Sequence, residues 1–222
     1  MKRYAVYYAP EPGPFADAAA HWLGWDPTSG ASVLQPDLGL DMAALTADPR
    51  KYGFHGTVKP PFRLAEGLGL ADLQKATAAM ARDLPAIEMP GLQFLDLEGF
   101  LALVPQGDTA ALTDLAAKVV ELIDPLRAPL TAAEIARRRP DRLTPRQRAL
   151  LDRWGYPYVM EEFRFHLTLS GNLSAEDHAT LRPLAEAHFA GLLPQPFRVT
   201  DLCLFGEAED GRFHLLHRYP LA

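Results

Sequence analysis

The hydrophobic pattern along this chain switches between two periods. Runs rich in aromatic and β-branched residues predict strands at residues 3–9, stopped by Pro10 and Pro12, and at 54–64, interrupted by Pro60-Pro61. Further strands are predicted at 92–97 and 100–104, with Glu98-Gly99 as their turn, and at 163–169. Residues 197–205 and 213–219 read as a hairpin turning at Asp210-Gly211. Helical spacing takes over between these runs. It predicts a short helix over 14–23, one over 70–84 carrying Leu70, Leu73, Met80 and Leu84, and an amphipathic one over 109–126 carrying Leu112, Leu115, Val119, Leu122 and Ile123. Ser174 starts another helix, with Glu176 and Asp177 in its positive first turn, running to about Ala190. Residues 25–50 are rich in turn formers and predict loop with one helical turn.

Strand, helix and hairpin follow one another twice in the same order. Phe100 lies 45 positions after His55, and Phe213 lies 47 after His166. This predicts an α+β fold built by internal duplication into two lobes. Each lobe is a small antiparallel sheet packed on helices, with a pseudo-two-fold cleft between them. The chain is read as one bilobal domain, with lobe 1 near 1–107 and lobe 2 near 108–222. Residues 131–157 interrupt the second lobe with a basic helical insertion that contains Arg137, Arg138, Arg139 and Arg142 and is positioned to cover the cleft. Within it, Thr144-Pro145 predicts the cap and first position of a helix to Trp154.

Composition narrows the function classes. With 222 residues, 48% hydrophobic and 23% charged, the chain has the make-up of a globular protein. No apolar run approaches the roughly 20 residues of a membrane helix, and Met1-Lys2-Arg3-Tyr4 does not open a signal peptide, so a cytoplasmic location is expected. A net charge of −6 argues against gripping long duplex nucleic acid by counterion release. The single cysteine, Cys203, stands between two leucines and reads as a buried, inert thiol.

The chemistry lies in the two matching strands. Phe54-His55-Gly56-Thr57-Val58 and Phe165-His166-Leu167-Thr168-Leu169 both read apolar-His-x-Thr-apolar. On a strand, positions i and i+2 share a face, so each copy aims one imidazole and one hydroxyl the same way. Two such pairs facing each other can hold a phosphate and move protons on both sides of it. A third match, His178-Ala179-Thr180-Leu181, falls in a helix, where i and i+2 diverge by about 200°. It is read as coincidence. Alternation adds Lys59 beyond Thr57, and Arg164 and Ser170 around the second motif, as phosphate contacts. One of Tyr4, Tyr7 and Tyr8 is expected in the core, and one is available to stack on a base or sugar. His21, His188, His214 and His217 carry no partner pattern. No HExxH, CxxC or Asp-x-His run suggests a metal site, so neither metal nor cofactor is expected.

The paired motifs, with Tyr52-Gly53 before the first and Trp154-Gly155-Tyr156-Pro157-Tyr158 before the second, resemble the 2H phosphoesterase superfamily, and within it a bacterial branch encoded beside phosphonate-degradation operons. The resemblance implies metal-independent cleavage of a small cyclic phosphate or phosphodiester. His55 and His166 would form the catalytic pair, and Thr57 and Thr168 would hold the phosphoryl oxygens. The implied partner is a small phosphorylated substrate, with a cyclic-phosphate RNA end as the less favoured alternative. A non-catalytic binder of a phosphorylated metabolite is the rival class.

Overall fold

Strand β1 (Tyr4–Tyr8) alternates cleanly between two environments. Val6 and Tyr8 join a cluster of 34 buried residues, while Ala5, Tyr7 and Ala9 join a small cluster on the opposite face with Cys203, Phe205 and Phe213. The period of two thus separates a helix-covered face from an open face, and the open face carries the site. The computed structural model describes residues 1–222.

The other strands of the main sheet are β4 (Gly56–Phe62), β6 (Leu92–Leu97), β7 (Phe100–Pro105), β8 (Leu167–Thr168), β10 (Asp201–Glu207) and β11 (Phe213–Pro220). Their order is β11-β10-β1-β4-β8-β7-β6, and every pairing is antiparallel. Two short ribbons stand apart: β2 (Trp25–Asp26) with β3 (Ala31–Ser32), and β5 (Ile87–Met89) with β9 (Phe197–Val199). Helices α1 (Pro14–Leu23), α4 (Leu70–Asp83), α5 (Ala110–Ile123) and α8 (Ala175–His188) contribute Trp22, Leu73, Leu115 and Leu181 to the large core. Two single-turn helices, α2 (Met42–Leu45) and α3 (Ala47–Arg50), fill the turn-rich stretch after α1. No helix is long and apolar enough to cross a membrane.

The α+β architecture with antiparallel sheets and two matched halves is as expected. The halves meet where Gly56 of β4 pairs with Leu167 of β8, and they form one continuous sheet. About that pair the order is matched: β4 against β8, β1 against β7, β10 against β6, while β5 and β9 pair with each other. The repeat therefore runs from β1 and again from β7. The 45- and 47-residue spacings compare β7, an interior strand, with β11, an edge strand. Hairpins look alike in sequence because their patterning is local, whereas a strand's place in the sheet is set by long-range pairing. Consequently β6 and β7, which precede residue 107, lie beside the second motif rather than the first.

The insertion holds the helix expected from its Thr144-Pro145 cap and a second, shorter one that was not expected. Helix α7 (Pro145–Trp154) starts at Thr144, whose hydroxyl accepts from Gln147 N at 3.1 Å, and ends at Gly155 with φ 75°. Helix α6 (Ala132–Arg137) starts with a capping box between Thr131 and Glu134.

Candidate functional site

His55 is the residue immediately before β4, not inside a strand, and β8 is only two residues long. The His-x-Thr pairs are thus placed at strand beginnings. Each imidazole is fixed by the same local bond. Nδ1 of His55 donates to the carbonyl of Gly53 at 2.9 Å, and Nδ1 of His166 donates to that of Arg164 at 2.8 Å. A carbonyl only accepts, so both rings carry the proton on Nδ1 and leave Nε2 as the reactive nitrogen. Thr57 donates its hydroxyl to His55 Nε2 at 3.1 Å.

Tyr7, whose register partner on β4 is Thr57, lays its ring 4.0 Å from the His55 ring, centroid to centroid, and Tyr52 stands at 5.6 Å. Phe100 packs 5.6 Å from His166. Burial pushes the His55 pKa down to about 4, with the Gly53 bond opposing the shift and His166 adding to it. Burial also lowers His166 against the opposing bond to Arg164. Both histidines are therefore neutral at pH 7.

Two adjoining cavities flank these rings. One, of about 520 Å³, is lined by His55, Tyr7, Tyr52, Thr168 and Ser170 and also by Arg137 and Arg138. The other, of about 410 Å³, is bounded by His166, Phe163, Tyr158 and Arg164. Thr57, Pro60, Phe100 and Tyr156 line both, so His55 and His166 open onto neighbouring compartments with shared walls.

The remaining residues singled out from sequence fare differently. Ser170 reaches the first cavity, but its hydroxyl accepts from Leu101 N at 2.9 Å and donates to the Gly171 carbonyl at 2.8 Å. Arg164 lies at the rim, 3.6 Å from Glu98 and largely exposed, and contributes its carbonyl to His166. Lys59 departs most from expectation. A bulge between β1 and β4 pairs Tyr7 with Thr57 but Val6 with Lys59, which turns Lys59 onto the helix-covered face. There its ammonium is buried, 3.2 Å from both the Val120 carbonyl and Asp124 Oδ1, and it lines neither of the two cavities. Burial lowers its pKa to about 8 despite the Asp124 charge.

Of the insertion arginines, Arg137 and Arg138 line the first cavity, and Arg139 and Arg142 do not. His178 lies on α8, 3.3 Å from Asp96, away from both cavities. Cys203 is fully buried, as expected. Tyr52 and Tyr156, which flank the two motifs in sequence, also line the first cavity, as do Arg3 and Asn172, which carried no signal of their own because contacts across the fold bring them there. No three His, Cys, Asp or Glu side chains converge as metal ligands would.

A family model described as a protein of unknown function, DUF1045, matches residues 57–214. The chain belongs to this family. Among curated relatives, a ribose 1,5-bisphosphate phosphokinase PhnN of Janthinobacterium sp. (strain Marseille) is 43% identical over 220 residues, covering 95% of this chain and 49% of that protein. One from Laribacter hongkongensis (strain HLHK9) is 36% identical over 214 residues, covering 94% and 49%. The chain thus spans about half the length of the curated relatives it matches. Among solved structures, TT0787 of Thermus thermophilus aligns with 99% of this chain and 97% of its own at 14% identity and a TM-score of 0.47. E. coli LigT complexed with 3′-AMP aligns with 100% and 98% at 14% identity and a TM-score of 0.44. Similarities this low carry no weight for function.

Proposed function

We propose that this protein is a two-histidine phosphoesterase that opens a small cyclic phosphate or cleaves a small phosphodiester without a metal ion. The observation that carries the reading is the matched anchoring of His55 and His166. Each donates Nδ1–H to the carbonyl two residues before it, which leaves Nε2 of each ring without a proton, and Thr57 donates its hydroxyl to that of His55. One imidazole takes a proton from water as its oxygen bonds to phosphorus. The other, protonated, gives its proton to the alkoxide as the second P–O bond breaks. The products are a phosphomonoester and an alcohol, and solvent restores the two protonation states. Acid and base help of this kind is worth roughly 10²–10⁴-fold per group. Thr57 and Thr168 would hold the phosphoryl oxygens.

The lowered histidine pKa values fit a site that waits for an anion. A bound phosphate favours imidazolium and brings one ring into the acid form. The curated relatives are named for ribose 1,5-bisphosphate phosphorylation, which supports a phosphorylated sugar as the substrate and phosphonate metabolism as its context. The kinase name belongs to proteins about twice as long, and our assignment concerns the half shared with this chain.

The test is hydrolysis of 2′,3′-cyclic nucleotides and ribose cyclic phosphates in EDTA. Turnover that resists EDTA and is lost in both His55→Ala and His166→Ala is expected. Turnover abolished by EDTA, or retained in either variant, refutes the mechanism. Binding without turnover of any member favours the metabolite-binding reading.

A further inference from the structure

Two guanidinium groups on the cleft wall have no carboxylate partner. Among the other charged side chains lining the 520 Å³ cavity, Arg3 is held by Glu207, Glu134 by Arg63, and Asp48 by Lys51. Arg137 makes a single 3.5 Å hydrogen bond from Nε to the Ala133 carbonyl, and Arg138 rests 4.7 Å over the ring of Tyr156.

The helix that carries them is tied down. Arg63, the residue after β4, donates to both oxygens of Glu134 at 3.1 and 2.9 Å and to the Pro129 carbonyl at 2.7 Å. Glu134 also closes the capping box that starts α6. Arg137 and Arg138 follow Glu134 by three and four residues, about one helical turn. The Arg63–Glu134 pair therefore fixes the arginines relative to the strand that bears Thr57. Stacking on Tyr156 restricts Arg138 further, and Tyr156 itself lines both cavities.

Guanidinium groups present fixed forks of donors that match phosphate oxygens. In the phosphoesterase reading, the cyclic diester at the two histidines carries a single negative charge, which leaves a second anionic group of the substrate to be met elsewhere in the cavities. The two cavities, about 520 and 410 Å³, have the volume of a small-molecule site rather than of a bare ion.

We infer that Arg137 and Arg138 bind a second phosphate carried by the same substrate. The substrate class is then a cyclic phosphate that bears a phosphomonoester away from the scissile bond. This inference rests on the phosphoesterase reading and narrows it.

The experiment compares kcat/KM for substrates that differ only in the distal phosphate: adenosine 2′,3′-cyclic phosphate with and without a 5′-phosphate, and ribose 1,2-cyclic phosphate with and without a 5-phosphate. Wild type is expected to prefer the 5-phosphorylated member of at least one pair by roughly tenfold or more. The ratio is expected to fall towards one in the Arg137→Ala/Arg138→Ala double variant and to persist in Arg142→Ala. A wild-type ratio near one on both pairs, or a ratio that survives the double substitution, overturns the inference. If no substrate turns over, the phosphoesterase reading fails separately. Calorimetric titration with adenosine 3′-phosphate and adenosine 3′,5′-bisphosphate then decides. At least tenfold tighter binding of the bisphosphate, lost in the double variant, supports the second-phosphate site, and equal binding overturns it.

Discussion

Phe165 occupies the space that a side chain at Gly56 would need. A Cβ built on Gly56 would lie 2.3 Å from Cζ and 2.5 Å from Cε2 of the Phe165 ring. Each of these residues belongs to a different His-x-Thr motif, so the two motifs interlock at the centre of the sheet, where Gly56 pairs with Leu167. The middle residue of the first motif is glycine because the apolar residue before His166 packs over it.

Substituting that glycine should therefore separate the motifs. Gly56→Ala is expected to lower stability by about 1–3 kcal/mol through overpacking and to reduce turnover with it. Shrinking the neighbour in Gly56→Ala/Phe165→Leu should recover part of both. Urea unfolding with a matched activity assay checks this. A double variant no better than the single would show that the clash is not the cause.

Tyr7 covers the His55 ring at 4.0 Å, and burial is the leading cause of the low His55 pKa. Tyr7→Ala should move the His55 midpoint from about 4 towards the ordinary value near 6.5. Tyr7→Phe, which keeps the ring, should leave it low. An NMR titration of the imidazole reads the midpoint directly, and an unmoved value in Tyr7→Ala would exclude Tyr7 as the shield.

The same shift makes stability depend on pH. Folded His55 takes its proton near pH 4, while in the unfolded chain it does so near 6.5. Between these values the unfolded state binds more protons, so stability falls as pH drops through that window and the His55 contribution is flat above it. Removing the imidazole in His55→Gln should make the loss between pH 7 and pH 4.5 smaller than in wild type. Urea midpoints at the two pH values test this, and equal losses would contradict it.

Catalysis should respond on the acid side as well. The free enzyme needs one neutral and one protonated imidazole, and both are lowered from 6.5. The profile of kcat/KM is therefore expected to be bell-shaped with both limbs below about pH 6.5. A profile still rising at pH 8 would be incompatible with these two groups.

Lys59 and Asp124 should not be equivalent. Asp124 also receives Arg127 at 2.7 Å, whereas the hydrogen bonds of Lys59 go to Asp124 and the Val120 carbonyl alone. Asp124→Ala strands a buried ammonium and is expected to cost about 3 kcal/mol or more. Lys59→Met leaves Asp124 paired and should cost less. Unfolding midpoints rank the two, and the reverse order would mean that Lys59 is held chiefly by packing.

Much of this protein could be read from local pattern. Period-two runs, helix caps such as Thr144-Pro145 and the Asp210-Gly211 turn set the elements, because each depends on neighbours within a few residues. The two His-x-Thr copies set the candidate chemistry for the same reason. Tertiary structure decided the rest. Pairing between distant strands made β1 and β7 equivalent and joined the halves into one sheet. A bulge sent Lys59 into the helix-covered side despite its alternating position. Folding of the insertion carried Arg137 and Arg138, but not Arg139 or Arg142, to the cleft wall. These outcomes turn on register and long-range contact, and neither is encoded in the spacing of residues along the chain.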